Sequence, residues 1–236
     1  MSLESFLTDP KNTKTREYML TCRLQSDLLD AASNRGYPLQ IYLPAIDRDG
    51  FDIIFSDAQT LTPVQLKSTA TKRSEWKIHR QFFRPRYYDF ESYKLFSSSH
   101  ESGMAGGVAL IDINKEQGVL SLSYAYSDYL IVRLLASGHF NFSKQRVNAA
   151  RKALEDMTSN IDGSFTLKRT CFLGAPTPDH LLSLMGLHST VRTQWRHEWL
   201  DYLSAINDKN SFSSWKESPD EYLLHILESF ASIGYT

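Results

Sequence analysis

The feature that most restricts the fold is the near-continuous apolar run from Val108 to Ile113, introduced by Gly106-Gly107. A strand with apolar side chains on both faces needs cover on both, which is the situation of a strand inside a sheet flanked by helices. The neighbouring sequence supplies such elements. Thr13–Asn34 reads as a helix, with Gly36 and Pro38 beyond it as stop signals. Three short strand-like runs follow at Leu39–Leu43, Phe51–Ser56 and Thr62–Ser68. Asp47-Arg48-Asp49-Gly50 separates the first two as a turn, and Asp57–Leu61 separates the last two as a hairpin loop. A helix around Tyr87–Ser98 then leads into the Val108–Ile113 strand. Val119–Tyr126 reads as a strand, Asp128–Ala136 and Ser143–Met157 as helices, and Phe165–Phe172 as a late strand. After Pro176 and Pro178 the chain reads as helical to Thr236. Helix, three strands, helix, strand is an α/β order with sheet and helices mixed. It predicts a core over residues 1–172 and a helical C-terminal extension over residues 173–236.

Charge narrows the function. The net charge is −1, which argues against a protein that coats nucleic acid nonspecifically. The distribution is uneven: between Lys67 and Lys94 there are eight basic residues against three acids, with acidic flanks on both sides. One local basic segment on a balanced chain suits an enzyme that meets phosphate at one place. Cys22 and Cys171 lie far apart and form no CxxC pair, so neither a disulfide framework nor a zinc knuckle is expected. The N-terminus lacks the apolar core of a signal peptide and no stretch is apolar enough to span a bilayer, so a cytoplasmic protein without a membrane partner is expected.

The hairpin carries the chemistry. A turn centred on Ala58-Gln59 sets Asp52 opposite Gln65, with Lys67 as the diagonal neighbour on the same face. On the first helix, at ~100° per residue, Leu20, Leu24, Leu28 and Ala31 form an apolar stripe and Glu17 falls in line with it. A carboxylate on a core-facing stripe is costly unless something pairs with it. Asp52 and Glu17 offer anionic oxygen, and Gln65 a neutral carbonyl oxygen. Magnesium prefers such oxygen ligands and keeps waters and substrate phosphate in its remaining positions. Lys67 would orient an attacking water or stabilise charge on the phosphate.

Gly50-Phe51-Asp52-Ile53-Ile54 followed by Val64-Gln65-Leu66-Lys67-Ser68 resembles the core of PD-(D/E)XK nucleases. More narrowly it is similar to the restriction-endonuclease-like variants with Gln in place of the second acid. Phe51 stands where the name-giving proline would be, and Gln65 removes one negative charge. The resemblance covers roughly Thr13 to Asn114, about half the chain. It implies a helix–three strands–helix–strand core with Asp52, Gln65 and Glu17 as ligands of Mg2+ (or Mn2+) and Lys67 as the catalytic lysine. The implied activity is a restriction- or defence-like endonuclease acting on DNA, with RNA not excluded. A homodimer would suit cutting of both strands. The alternative is a catalytically inactive nuclease-fold module that binds nucleic acid or serves in assembly, for which the Gln65 variant leaves room.

Lys72, Arg73 and Lys77 follow the Lys67 strand and could lie along a phosphate track. Arg84 and Arg86 sit in the basic–aromatic run Arg80–Tyr88 and are further phosphate contacts. Phe82, Tyr87 and Phe90 in the same run read as core residues. The two helical stretches around His188-Ser189-Thr190 could form a helix-turn-helix, but Trp195, Trp199, Leu200 and Leu203 point to core packing. The histidines show no zinc spacing.

Overall fold

The computed structural model describes residues 3–44, 50–58, 60–69, 73–87, 102–116, 119–158, 163–187, 194–207 and 219–232. The chain opens with α1 (Leu3–Thr8) and a 3-10 turn (Pro10–Asn12), then the long helix α2 (Thr13–Asn34). Leu20, Leu24, Leu28 and Ala32 recur every fourth position on α2 and are buried, each leucine gaining ~1.5–3 kcal/mol from the transfer. The helix stops where Gly36 takes a left-handed φ of 71°.

Strands β1 (Gln40–Tyr42), β2 (Ile53–Ser56) and β3 (Leu61–Ser68) form an antiparallel meander. Asp57 closes the β2–β3 hairpin by accepting from Thr60 N–H at 2.7 Å, while its own N–H donates to the Thr60 carbonyl at 3.2 Å. Next come β4 (Glu75–His79), the short helix α3 (Arg80–Phe83), β5 (Gly107–Glu116) and β6 (Val119–Ser127). The six-stranded sheet runs β1-β2-β3-β5-β6-β8, with β3 and β5 parallel and every other pair antiparallel. Strand β5 lies inside it, and Val108, Ala109, Leu110 and Ile111 are all buried, as the apolar run requires. Gly106 and Gly107 are needed for close approach: a Cβ at Gly106 would meet the Phe82 ring at 2.2 Å, and one at Gly107 the Tyr126 hydroxyl at 1.9 Å.

The chain continues through α4 (Tyr129–Ser137), α5 (Lys144–Thr158), β7 (Ser164–Lys168), a 3-10 turn (Arg169–Cys171) and β8 (Leu173–Ala175). Helices α6 (Pro178–Met185), α7 (Gln194–Asn207) and α8 (Pro219–Ser232) follow. Asp128 caps α4 by accepting from Ile131 N–H at 2.9 Å, and Thr177 caps α6. The fold is mixed α/β. Among the described residues no helix is long and apolar enough to cross a membrane.

Two expectations need correction. Phe165–Phe172 is not one strand. Its first half, β7, pairs with β4 in a separate two-stranded ribbon, and the chain turns before β8 joins β6 in the main sheet. Because β8 begins at Leu173, the sheet crosses the expected division at residue 172, and the helical part starts at Pro178. Helix α6 packs on α2, β6 and β8, and one buried cluster extends from Leu20 through the sheet to Trp195, Trp199 and Phe230. The two tryptophans are core residues, as their helical spacing suggested; the Trp195 and Phe230 ring centroids lie 4.8 Å apart. Residues 188–190 and, beyond Tyr87, the helix expected at Tyr87–Ser98 lie outside the described residues.

Candidate active site

The β2–β3 register is Ile53↔Val64, Ile54↔Pro63, Phe55↔Thr62 and Ser56↔Leu61, centred on Ala58-Gln59. The paired ladder ends at Ile53↔Val64; Asp52 lies just before β2, and its N–H donates to the Val64 carbonyl at 2.9 Å. Ile53, Phe55 and Val64 are fully buried, so Asp52, Gln65 and Lys67 take the alternate face. The Asp52 Oδ2 accepts from Leu66 N–H at 2.6 Å, a charge-assisted bond that fixes the carboxylate on β3 beside Lys67.

Glu17, Asp52 and Lys67 line one cavity of about 400 Å3, together with Arg16, Arg73 and Trp76. Gln65 is not part of its wall. The Gln65 Oε1 is nonetheless buried and accepts no hydrogen bond from any described residue. Such an orphaned acceptor costs ~1–3 kcal/mol. The cavity wall itself offers the carboxylates of Glu17 and Asp52, the oxygen ligands a hard cation takes. Among the described residues no three His, Cys, Asp or Glu side chains cluster to add a further one.

Glu17 reaches this cavity by a different route from the one its sequence position suggested. The buried stripe of α2 repeats in strict steps of four and extends back to Arg16, which is half-buried, whereas Glu17 is exposed one residue further round the helix. Arg16 donates to the Leu7 carbonyl at 2.6 Å and ties α1 to α2. The i, i+4 spacing that runs back from Leu20 to Arg16 sets Arg16 in the cavity wall.

Of the expected phosphate contacts, Arg73 stands in the cavity wall and Lys77 is exposed on β4, donating to Thr166 Oγ1 at 2.8 Å. Lys72 lies outside the described residues, as does Phe90. Arg84 is a correction: it is 1 % exposed and donates to the Met157 carbonyl at 2.7 Å, so the guanidinium holds the interior together and meets no phosphate. Arg86 is exposed but donates to the Leu61 carbonyl at the far end of β3, ~20 Å from Lys67 at the strand rise. Phe82 is buried as expected, whereas Tyr87 is exposed and not a core residue.

Beyond Lys67 the end of β3 is braced. The Thr69 N–H donates to the Ile111 carbonyl at 3.0 Å and the Thr69 hydroxyl to Asp112. Arg169 donates to both Asp112 oxygens, through Nη1 at 2.8 Å and through Nη2. Burial alone would raise the Asp112 carboxyl, but the bonds from Arg169 and Thr69 outweigh it and hold the group below its ordinary range.

Comparison with protein-family models, with curated proteins and with solved structures found no match.

Proposed function

We propose that the chain is a divalent-metal-dependent phosphodiesterase of the PD-(D/E)XK type that cleaves DNA. The observation that carries this reading is the shared cavity of Glu17, Asp52 and Lys67, with the buried, orphaned Gln65 oxygen two residues before Lys67 on β3. The order α2, then β1–β2–β3, then β5 is in keeping with a restriction-endonuclease-like core. Glu17, Asp52 and Gln65 would hold Mg2+ or Mn2+. When bound, the ion supplies an acidified water and neutralises charge on the phosphate. Asp52, pinned by Leu66 N–H, keeps its carboxylate in one orientation without side-chain search. Lys67 presents a fixed ammonium to the developing charge on phosphate oxygen. Arg73 adds a second positive charge at the cavity wall, where a substrate phosphate would be drawn in.

The test is incubation of supercoiled plasmid with purified protein, with and without Mg2+, alongside Lys67→Ala. Cutting that needs the metal and is lost in the variant supports the enzyme. Binding without cutting under every metal condition supports the non-catalytic module instead.

A further inference from the structure

We infer that the two-stranded ribbon β4–β7 is the surface along which the phosphate backbone of a nucleic-acid strand runs outward from the cavity. The inference rests on the proposed reading of that cavity. Four observations carry it.

The ribbon lies outside the main sheet and is amphipathic. Trp76, Ile78, Phe165 and Leu167 point inward and are buried, which leaves Glu75, Lys77, His79, Ser164 and Lys168 exposed. The ribbon starts at the cavity rim: Arg73 and Trp76 line the cavity, and the pair Glu75↔Lys168 sits at that end. Its charge suits a polyanion. Arg73, Lys77 and Lys168 are all exposed against the single acid Glu75, on a chain whose net charge is −1. Finally, the ribbon is locked to the catalytic strand. The Arg169 N–H donates to the Ser74 carbonyl at 2.7 Å, and the Arg169 guanidinium grips Asp112, which in turn holds Thr69, two residues after Lys67.

At ~3.4 Å per residue, Arg73 to Lys77 covers ~14 Å, long enough for the two side chains to meet different phosphates of one strand. Lys77 spends one of its three donors on Thr166, and the ammonium retains its charge for phosphate.

The experiment measures binding of the full chain to a fluorescently labelled 20-mer duplex and to one of its single strands, in EDTA, over a series of salt concentrations. For Lys77→Ala/Lys168→Ala the magnitude of the slope of log K against log [salt] should fall by about 1.4–1.8, since each phosphate contact contributes ~0.7–0.9. Lys77→Arg/Lys168→Arg should keep the wild-type slope. Both variants change exposed positions, and an unchanged Tm confirms the fold. A wild-type slope in the double-alanine variant overturns the inference, as does failure of the wild type to bind either oligonucleotide at low salt. The two readings separate cleanly. Metal-dependent cutting with an unaltered slope in the double-alanine variant sinks the ribbon alone, whereas a reduced slope in a protein that never cuts sinks the nuclease reading and leaves the ribbon standing.

Discussion

Replacing Asp112 by alanine should remove the clasp between the end of β3 and the ribbon. The side chain is 15 % exposed and accepts three hydrogen bonds, one from Thr69 and two from Arg169. The Thr69 bond, made to a mostly buried carboxylate, contributes ~1.5 kcal/mol. The Arg169 side chain is 45 % exposed, so water screens it, and its two bonds together are discounted to ~1 kcal/mol. The expected loss is therefore ~2.5 kcal/mol, or ~5–10 °C in Tm for a chain of this length. Asp112→Asn keeps one acceptor without the charge and should lose about half as much. The pH dependence follows from the depressed carboxyl. The folded chain binds fewer protons here than the unfolded chain, whose aspartate titrates near ~3.9. The stabilisation is thus complete above that value and is lost as pH falls through the lower folded pKa. Thermal unfolding followed by circular dichroism at pH 7 and near pH 3 is the assay. A Tm gap between wild type and Asp112→Ala that is as wide near pH 3 as at pH 7 would refute the charge-assisted clasp, as would an asparagine variant equal to wild type.

Gly107→Ala should cost ~1–3 kcal/mol through overpacking, because its Cβ would fall 1.9 Å from the Tyr126 hydroxyl; urea unfolding at wild-type stability would contradict the close contact. Arg84→Ala should destabilise by ~3 kcal/mol by opening a cavity and orphaning the Met157 carbonyl, yet leave the salt slope of DNA binding unchanged. A slope reduced by ~0.9 in that variant would instead make Arg84 a phosphate contact.

The hairpin was legible because its turn residues fix the register, and the pairs from Ser56↔Leu61 to Ile53↔Val64 follow from that sum alone. The β5 strand was legible for a similar reason, since the four consecutive apolar residues Val108–Ile111 need cover on both faces. Charge proved the poorer guide. Arg84 and Arg86 sit two residues apart in one basic run, yet one is interior, donating to the Met157 carbonyl, and the other is exposed. The basic character of residues 72–80 also hid a plain period-two alternation in Glu75–His79, which is β4. Its partner could not be read locally: Lys77 and Thr166 are 89 positions apart, and nothing in either segment names the other. The same non-locality hid the break between β7 and β8, whose side chains look continuous but belong to different sheets. Glu17 lines the cavity from the helix that the sequence predicts, but it is exposed beside the buried stripe, which Arg16, four residues before Leu20, continues.

The account depends most on Asp52, Glu17 and Gln65 offering their oxygens to a single divalent ion. Titration of the chain with Mn2+, followed by the loss of the free-ion paramagnetic resonance signal, reads this without any assumption about substrate. One ion per chain is expected for the wild type, with affinity lost in Asp52→Asn, which can still accept from Leu66 N–H, and weakened in Gln65→Ala. Mn2+ binding that is unchanged in Asp52→Asn, or a wild-type chain that takes up no ion, would contradict it.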